Sequence, residues 1–287
     1  MQNNYNYHKL NTKDLPERLA NIDSPVKQIY YVGQNPNNLI NKPCVTIVGS
    51  RRPSPYGIEV TAQIARELAN KSVVIISGLA LGVDSIAHKY CIENGGKTIA
   101  VLPCGPDKIY PSTNRNLAKK IIDLGGSIIT EYSPDTPALK QNFIIRNRIV
   151  SALGDIVIIT EAAEKSGTLH TANFALNQGK TVMAVPGKIN SPLSAGTNNL
   201  IKSGAMLINS VKDILQELKL DTKKSTVINA SNPQEFIVLK LIEQGITDGN
   251  ELQIKSSLEP SIFNQTLTML EINGQIAPLG NNHWQNV

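Results

Sequence analysis

The sequence predicts a doubly wound α/β fold with a mostly parallel sheet, followed by a small C-terminal winged-helix domain. Two observations carry the first part. Six short β-branched runs, VTIV (45–48), VVII (73–76), TIAVL (98–102), SIIT (127–130), IVIIT (156–160) and TVMAV (181–185), are continuously apolar, as expected of strands buried on both faces. Stretches of helical period lie between them, and Ile58, Ala62, Ala65, Leu68 and Ala69 mark one such amphipathic helix between the first two runs. Alternating strand and helix give a Rossmann-like parallel sheet.

In chain order, residues 1–25 read as a short N-terminal segment tethered to the main domain, which is expected over 26–218. Residues 219–233 read as a linker, because DTKKSTVINASNP (221–233) is polar and turn-rich without apolar period. The winged helix is expected over 234–287, with helices at 234–244, 248–252 and 260–273. Phe263, Leu267 and Leu270 share one face of the third helix, and Gly274 caps it. A hairpin of 276–279 and 283–285 follows, turning at Gly280, Asn281 and Asn282.

Composition narrows the class. A chain of 287 residues, 41% hydrophobic and 18% charged, supports one large core and a smaller one. No apolar run is long enough to span a bilayer, and the N-terminus lacks an apolar signal-peptide centre, so a cytoplasmic protein without a membrane partner is expected. Cys44, Cys91 and Cys104 are odd in number and lack C-x-x-C spacing, which suggests neither a disulfide framework nor zinc. No metal or cofactor is expected.

The net charge of +5 is unevenly spread. Residues 231–287 hold Lys240 and Lys255 against six acids, a net −4, which leaves +9 on residues 1–230. A polyanionic partner suits that main body. The third helix of the tail has no Lys or Arg, so it is not expected to enter a DNA groove, and a protein-contact or regulatory role fits it better.

Four of the strands are followed by small-residue loops and then helices: GSRRP (49–53), SGLALG (77–82), SGT (166–168), and a loop from Pro186 and Gly187 to GTN (196–198). In a parallel sheet these loops share the C-terminal edge, where ligands bind. Helix N-termini offer free N–H groups and partial positive charge, and glycine lets an anion approach the backbone. Gly49, Ser50, Ser77, Gly78, Ser166, Gly167, Thr168 and Gly187 are therefore candidate phosphate contacts, with Arg51 and Arg52 as bidentate clamps.

Segment 140–148, KQNFIIRNR, interleaves cations and amides with an aromatic ring. Lys140, Asn142, Arg146 and Arg148 can follow a phosphate backbone while Phe143 stacks on a base. The alternative is a helix start in which Ile144, Ile145 and Ile149 are core and Arg146 or Arg148 forms a structural salt bridge. Both readings stay open for the two arginines, and Lys140 is read as functional.

Catalysis has less support. Asp84 and His88, four residues apart, share a helix face and can serve a metal or acid–base role. A structural role is expected instead, with Asp84 favouring the helix dipole and His88 bonding back to it. Glu161 ends the fifth strand and can bond a ribose hydroxyl or a loop amide. No nucleophile elbow, zincin motif or carboxylate cluster is present, so no catalytic residue and no enzyme is expected.

GSRRPSPYG (49–57), SGLALGVDSIAH (77–88), GGKTIAVLPCGPDKIYPSTNRNL (95–117), RNRIVSAL (146–153), EAAEKSGTLHTANFAL (161–176) and VPGKINSPLSAGTNNLIKSGAMLI (185–208) resemble the DNA-processing protein A (DprA/Smf) family in order and spacing. The similarity covers about residues 25–215, and the tail looks like that family's winged helix. The resemblance implies a non-enzymatic protein whose positive pocket binds single-stranded DNA. It also implies a homodimer through the Rossmann-like domain and a role in natural transformation and recombination, protecting incoming strands and helping to load RecA. Carried onto this chain, it points to Ser50, Arg51, Arg52, Lys140, Phe143, Ser166, Gly167 and Thr168. Leu81 departs from the pattern, since many members have Arg or Lys there, and the N-terminal helical domain of many members is absent or reduced. The alternative is a nucleotide-processing enzyme of the lysine-decarboxylase-like phosphoribohydrolase type. Its P-G-G-x-G-T-x-x-E signature is incomplete here, because EAAEK (161–165) precedes Ser166 and no Glu follows Thr168 by three residues.

Overall fold

The computed structural model describes residues 6–20, 22–220 and 230–286, so most of the expected linker lies outside the described residues. The chain divides into two compact units, residues 1–221 and 222–287.

The first unit is built on nine strands: β1 (His8–Asn11), β2 (Gln28–Gly33), β3 (Cys44–Val48), β4 (Val74–Ser77), β5 (Thr98–Val101), β6 (Ser127–Thr130), β7 (Ile156–Ile159), β8 (Thr181–Ala184) and β9 (Met206–Leu207). They lie in the order β1-β2-β6-β5-β4-β3-β7-β8-β9. From β6 to β9 the neighbours are parallel, while β2 pairs antiparallel with both β6 and β1. All six runs picked out by apolar continuity are strands. The antiparallel pair escaped that criterion because β2, QIYYVG, is only half-buried, and β1, in the segment read as a tether, buries Leu10 alone.

Helices α1 (Glu17–Ala20), α2 (Pro36–Ile40), α3 (Pro55–Asn70), α4 (Val83–Glu93), α5 (Arg115–Asp123), α6 (Lys140–Leu153), α7 (Thr168–Asn177), α8 (Ala195–Lys202) and α9 (Val211–Glu217) cover the sheet. Strand side chains alternate between two cores. Val45, Ile47, Ile75, Ile156 and Ile158 pack with Ile64, Leu68, Val83 and Ala87 of α3 and α4. Val48, Val74, Ile76, Val157 and Ile159 pack with Ile149, Val150, Ala172 and Ala175 of α6 and α7. Each fully buried Ile or Leu here stabilises by roughly 1.5–3 kcal/mol, which explains why apolar continuity outweighs alternation in these strands. Burial also pushes the thiols of Cys44 and Cys91 up to about 12 and that of Cys104 to about 11.

The topology fixes where a ligand can enter. From β3 the chain steps through α3 to β4 on one side, and from β7 through α7 to β8 on the other. The loops after β3 and β7 therefore diverge, and a crevice opens between them at the C-terminal edge.

The second unit has α10 (Pro233–Glu243), α11 (Gly249–Ser256), α12 (Pro260–Ile272) and an antiparallel pair, β10 (Ile276–Gly280) and β11 (His283–Asn286). Asn232 and Asp248 cap α10 and α11 by accepting backbone N–H bonds. Val238, Leu252, Phe263, Leu267, Leu270 and Ile276 form its core. The outer side of α12 carries exposed Ile262, Met269 and Ile272. Among the described residues no helix is long and apolar enough to cross a membrane.

Candidate functional site

The crevice holds a cavity of about 390 Å³, walled by the loops after β3, β4 and β7 and by the first turns of α6. Gly49, Ser50, Arg51, Phe143, Arg146, Ser166, Gly167 and Thr168 line it, so three sequence-distant segments converge. Gly49 is required by close approach: a Cβ there would lie 2.7 Å from Val83 Cγ2 and 2.9 Å from Glu161 O. The loop is pinned on both sides. Ser50 N–H donates to Glu161 O at 2.7 Å, and Val83 N–H to Ser50 O at 3.1 Å.

The hydroxyls divide by role. Ser50 Oγ accepts from Arg52 N–H (3.1 Å) and Ser166 Oγ from Thr168 N–H (3.2 Å). An accepting hydroxyl keeps its own proton for a ligand. Thr168 does not, because its hydroxyl donates to Gly49 O at 2.9 Å and ties α7 to the β3 loop. Thr168 is thus a strut, although the N-terminus of α7 that it begins still faces the cavity.

At the mouth, the Arg51 guanidinium lies 5.5 Å from the centre of the Phe143 ring. Tyr110 meets the same ring edge-on, with centroids 5.2 Å apart and planes at 75°. Tyr110 is 48% exposed and was not singled out from sequence, since nothing in KIYPSTN distinguishes a surface ring from a buried one. Arg52 and Lys140 are exposed and do not line the cavity. Leu81, also 48% exposed, follows Ala80 of the cavity wall and puts an apolar side chain at its rim.

Helix α6 resolves the two readings of segment 140–148. Its inward stripe is Asn142, Arg146, Ile149, Val150 and Leu153: polar near the cavity, apolar over the sheet. Ile144 and Ile145, considered as core, are each 43% exposed. Arg146 is 4% exposed, and its Nη1 donates to Gly78 O at 2.6 Å and to Val101 O. Asp84 sits across Gly78, its carboxylate accepting from Gly78 N–H (3.0 Å) and Ala80 N–H (3.4 Å). Burial, and secondarily the neighbouring Arg51 charge, lowers the Arg146 pKa to about 10 against the pull of Asp84, so it stays charged. Burial raises that of Asp84, with Arg146 opposing. Arg146 is therefore a cavity-floor cation held by the protein itself.

Five other candidates do not line the cavity. Arg148 pairs with Glu131, whose pKa burial raises while Arg148 opposes. Asn142 donates to Pro103 O at 3.2 Å, and the fully buried Ser77 donates to Ile47 O at 2.6 Å. Gly78 is the spacer between Arg146 and Asp84, since a Cβ there would lie 2.6 Å from Arg146 Nη2 and 2.7 Å from Asp84 Oδ2. Gly187 lies in a different cavity, facing Ser194.

His88 does not bond back to Asp84. Its Nδ1 lies 2.6 Å from Thr98 Oγ1, whose proton goes to Ile75 O, so Nδ1 donates. Burial, then the Arg146 charge, pushes its pKa down to about 3, which removes it from acid–base work near neutrality. Glu161 takes a loop amide: its carboxylate accepts from Ser54 N–H (2.8 Å) and Ser54 O–H (2.5 Å) at the start of α3.

Comparison with known proteins identifies the family. The chain is 42% identical over 175 residues to Protein Smf of Escherichia coli, a match covering 61% of this chain and 47% of that one. It thus spans about half the length of that relative. It is 40% identical over 197 residues to DNA processing protein DprA of Streptococcus pneumoniae, covering 69% and 68%. Among solved structures, DNA processing protein A from Helicobacter pylori, described for its single-stranded DNA binding mode, superposes with a TM-score of 0.70 at 37% identity, over 77% of this chain and 99% of that one. The Streptococcus pneumoniae structure gives 0.68 at 37% identity, over 74% of each. The family model described as DNA recombination-mediator protein A matches residues 6–219, and the chain belongs to that family.

Proposed function

We propose that this protein binds single-stranded DNA along the C-terminal edge of its sheet, contacting backbone phosphates and stacking on bases without reading sequence. The observation that carries the reading is the Arg51–Phe143–Tyr110 stack at the mouth of the crevice. It sets a cation and aromatic surface side by side, the pairing that an exposed strand needs and a duplex hides. The Arg146 floor and the α7 N-terminus extend the positive field inward. Exposed Arg52 and Lys140 suit the flanking phosphates.

The family's description supports a role in DNA recombination, and the sequence resemblance extends it to natural transformation. In that role the protein is a cytoplasmic, non-enzymatic homodimer, associated through its Rossmann-like unit, which shields an incoming strand and helps to load RecA. Residues 234–287 act as a winged helix turned to protein contact, since α12 offers apolar side chains and no cation. The phosphoribohydrolase alternative loses support at α3: the helix start that would hold a nucleotide phosphate in a doubly wound fold is filled by the Glu161 carboxylate.

The test is a gel-shift comparison of oligo-dT with a duplex of equal length at several salt concentrations. Preference for the single strand, weakening with salt, is expected. Equal affinity for both, or release of free base from nucleoside monophosphates, would overturn the reading.

A further inference from the structure

We propose that a second cavity, on the other side of the β3 loop, is a further subsite for the same DNA strand, one that takes a nucleobase and rejects phosphate. The proposal rests on the DNA-binding reading above. This cavity measures about 730 Å³ and, like the first, falls in the usual range of ligand sites. One loop serves both. Gly49, Ser50 and Arg51 line the first, whereas Ser54, with Pro55 and Tyr56 of α3, lines the second. The three residues from Arg51 to Ser54 span at most about 10 Å, so one strand can enter both cavities within a few nucleotides.

The two cavities differ in chemistry. The first has two arginines, Arg51 and Arg146, against one carboxylate, Asp84, so cations prevail there. The charge buried in the second is the Glu161 carboxylate, 3% exposed and fixed by two hydrogen bonds from Ser54. A phosphate entering there meets a like charge in a poorly screened setting and is repelled. A neutral base is not. Its flat faces match the ring of Tyr56, which lines the same cavity, is 47% exposed and is held by its hydroxyl donating to Pro186 O at 3.0 Å. A ring already fixed loses little freedom when a base stacks on it. At the lip, exposed Lys188 suits the phosphate that stays outside, and the next residue, Ile189, is fully exposed.

The test places a single 5-iododeoxyuridine at successive positions of a twelve-nucleotide oligo-dT, irradiates it with the full chain, and maps the adducts by mass spectrometry. Adducts on Tyr56 are expected in addition to those on Phe143 or Tyr110. Alongside, Ser191→Trp fills the cavity without altering Glu161 or Tyr56. It should weaken the twelve-nucleotide strand about tenfold, the worth of one stacked base, and leave a two-nucleotide strand, too short to reach both cavities, unchanged. Adducts confined to Phe143 and Tyr110, with Ser191→Trp binding both strands as the parent does, would overturn the subsite and leave the first cavity standing. Equal weakening at both lengths would also overturn it. So would Tyr56 protected by a second copy of the chain rather than by DNA. No binding by the parent chain would remove both readings.

Discussion

Helices α3 and α7 both begin beside the crevice, each after a parallel strand, yet one start is closed and the other open. At α3, Ser54 caps, Pro55 follows, and Glu161 presses so near that a Cβ on Gly57 would lie 2.8 Å from its Oε2. At α7 the cap is Gly167, with no side-chain bond and no atom within 4 Å of a Cβ built on it. A protein carboxylate neutralises the first dipole, whereas at the second the N–H groups of Thr168, Leu169 and His170 meet only the neutral oxygens of Ser166 and Gly167, which leaves its positive end without a countercharge. The arginines divide in the same way: Arg146 and Arg148 face inward, Arg51 and Arg52 outward. Changes on the committed side should therefore cost stability, and changes on the open side should cost binding.

The largest effect expected is on the committed side. Arg146→Ala leaves Asp84 buried without its compensating charge and should destabilise by about 3–5 kcal/mol, read from denaturant unfolding. A loss below 1 kcal/mol would show that Arg146 is not structural. On the open side, Gly167→Asp copies the closure seen at α3. It should leave stability within a few tenths of a kcal/mol and weaken oligo-dT about tenfold, or ~1.4 kcal/mol. Unchanged affinity would break the comparison. Arg51→Ala should weaken binding by a similar amount and lower the salt slope by about one.

A pH titration separates the sides by another route. The His88 pKa is pushed down to about 3 in the folded chain by burial and then by Arg146, below the ordinary 6.5. The unfolded chain takes up that proton first, so this stability is complete above pH 6.5 and drains away as pH falls toward 3. Asp84 and Glu131, raised by burial, act in the opposite sense. The informative quantity is thus the difference between the parent and His88→Gln, whose acid limb should be flatter. Parallel limbs would refute the neutral, buried assignment. The smallest effect is at the rim: Leu81→Arg should tighten oligo-dT about threefold at low salt, and the gain should vanish at high salt.

The parallel strands and the edge they share were legible because burial on both faces writes itself into consecutive residues. The loops at that edge were legible because Gly, Ser and Arg cluster after strands. What could not be read depends on partners far along the chain. Ser54 and Glu161 are 107 residues apart, and Arg146 reaches Gly78 across 68. Arg146 and Arg148 stand two positions apart on one helix, and both are buried. Only the third dimension shows that one faces the crevice floor and the other Glu131. Tyr110 became visible as part of the site only once its ring was found against Phe143.

The three buried cysteines have a practical consequence. Alkylating reagents attack the thiolate, and with thiols pushed to about 11 or 12 and sealed in the core, the folded chain offers them almost none. A single cysteine introduced at an exposed position such as Leu81 would then be the one reactive handle on a native background. A dye attached there would report a strand arriving at the rim, without first stripping the protein of its own sulfur.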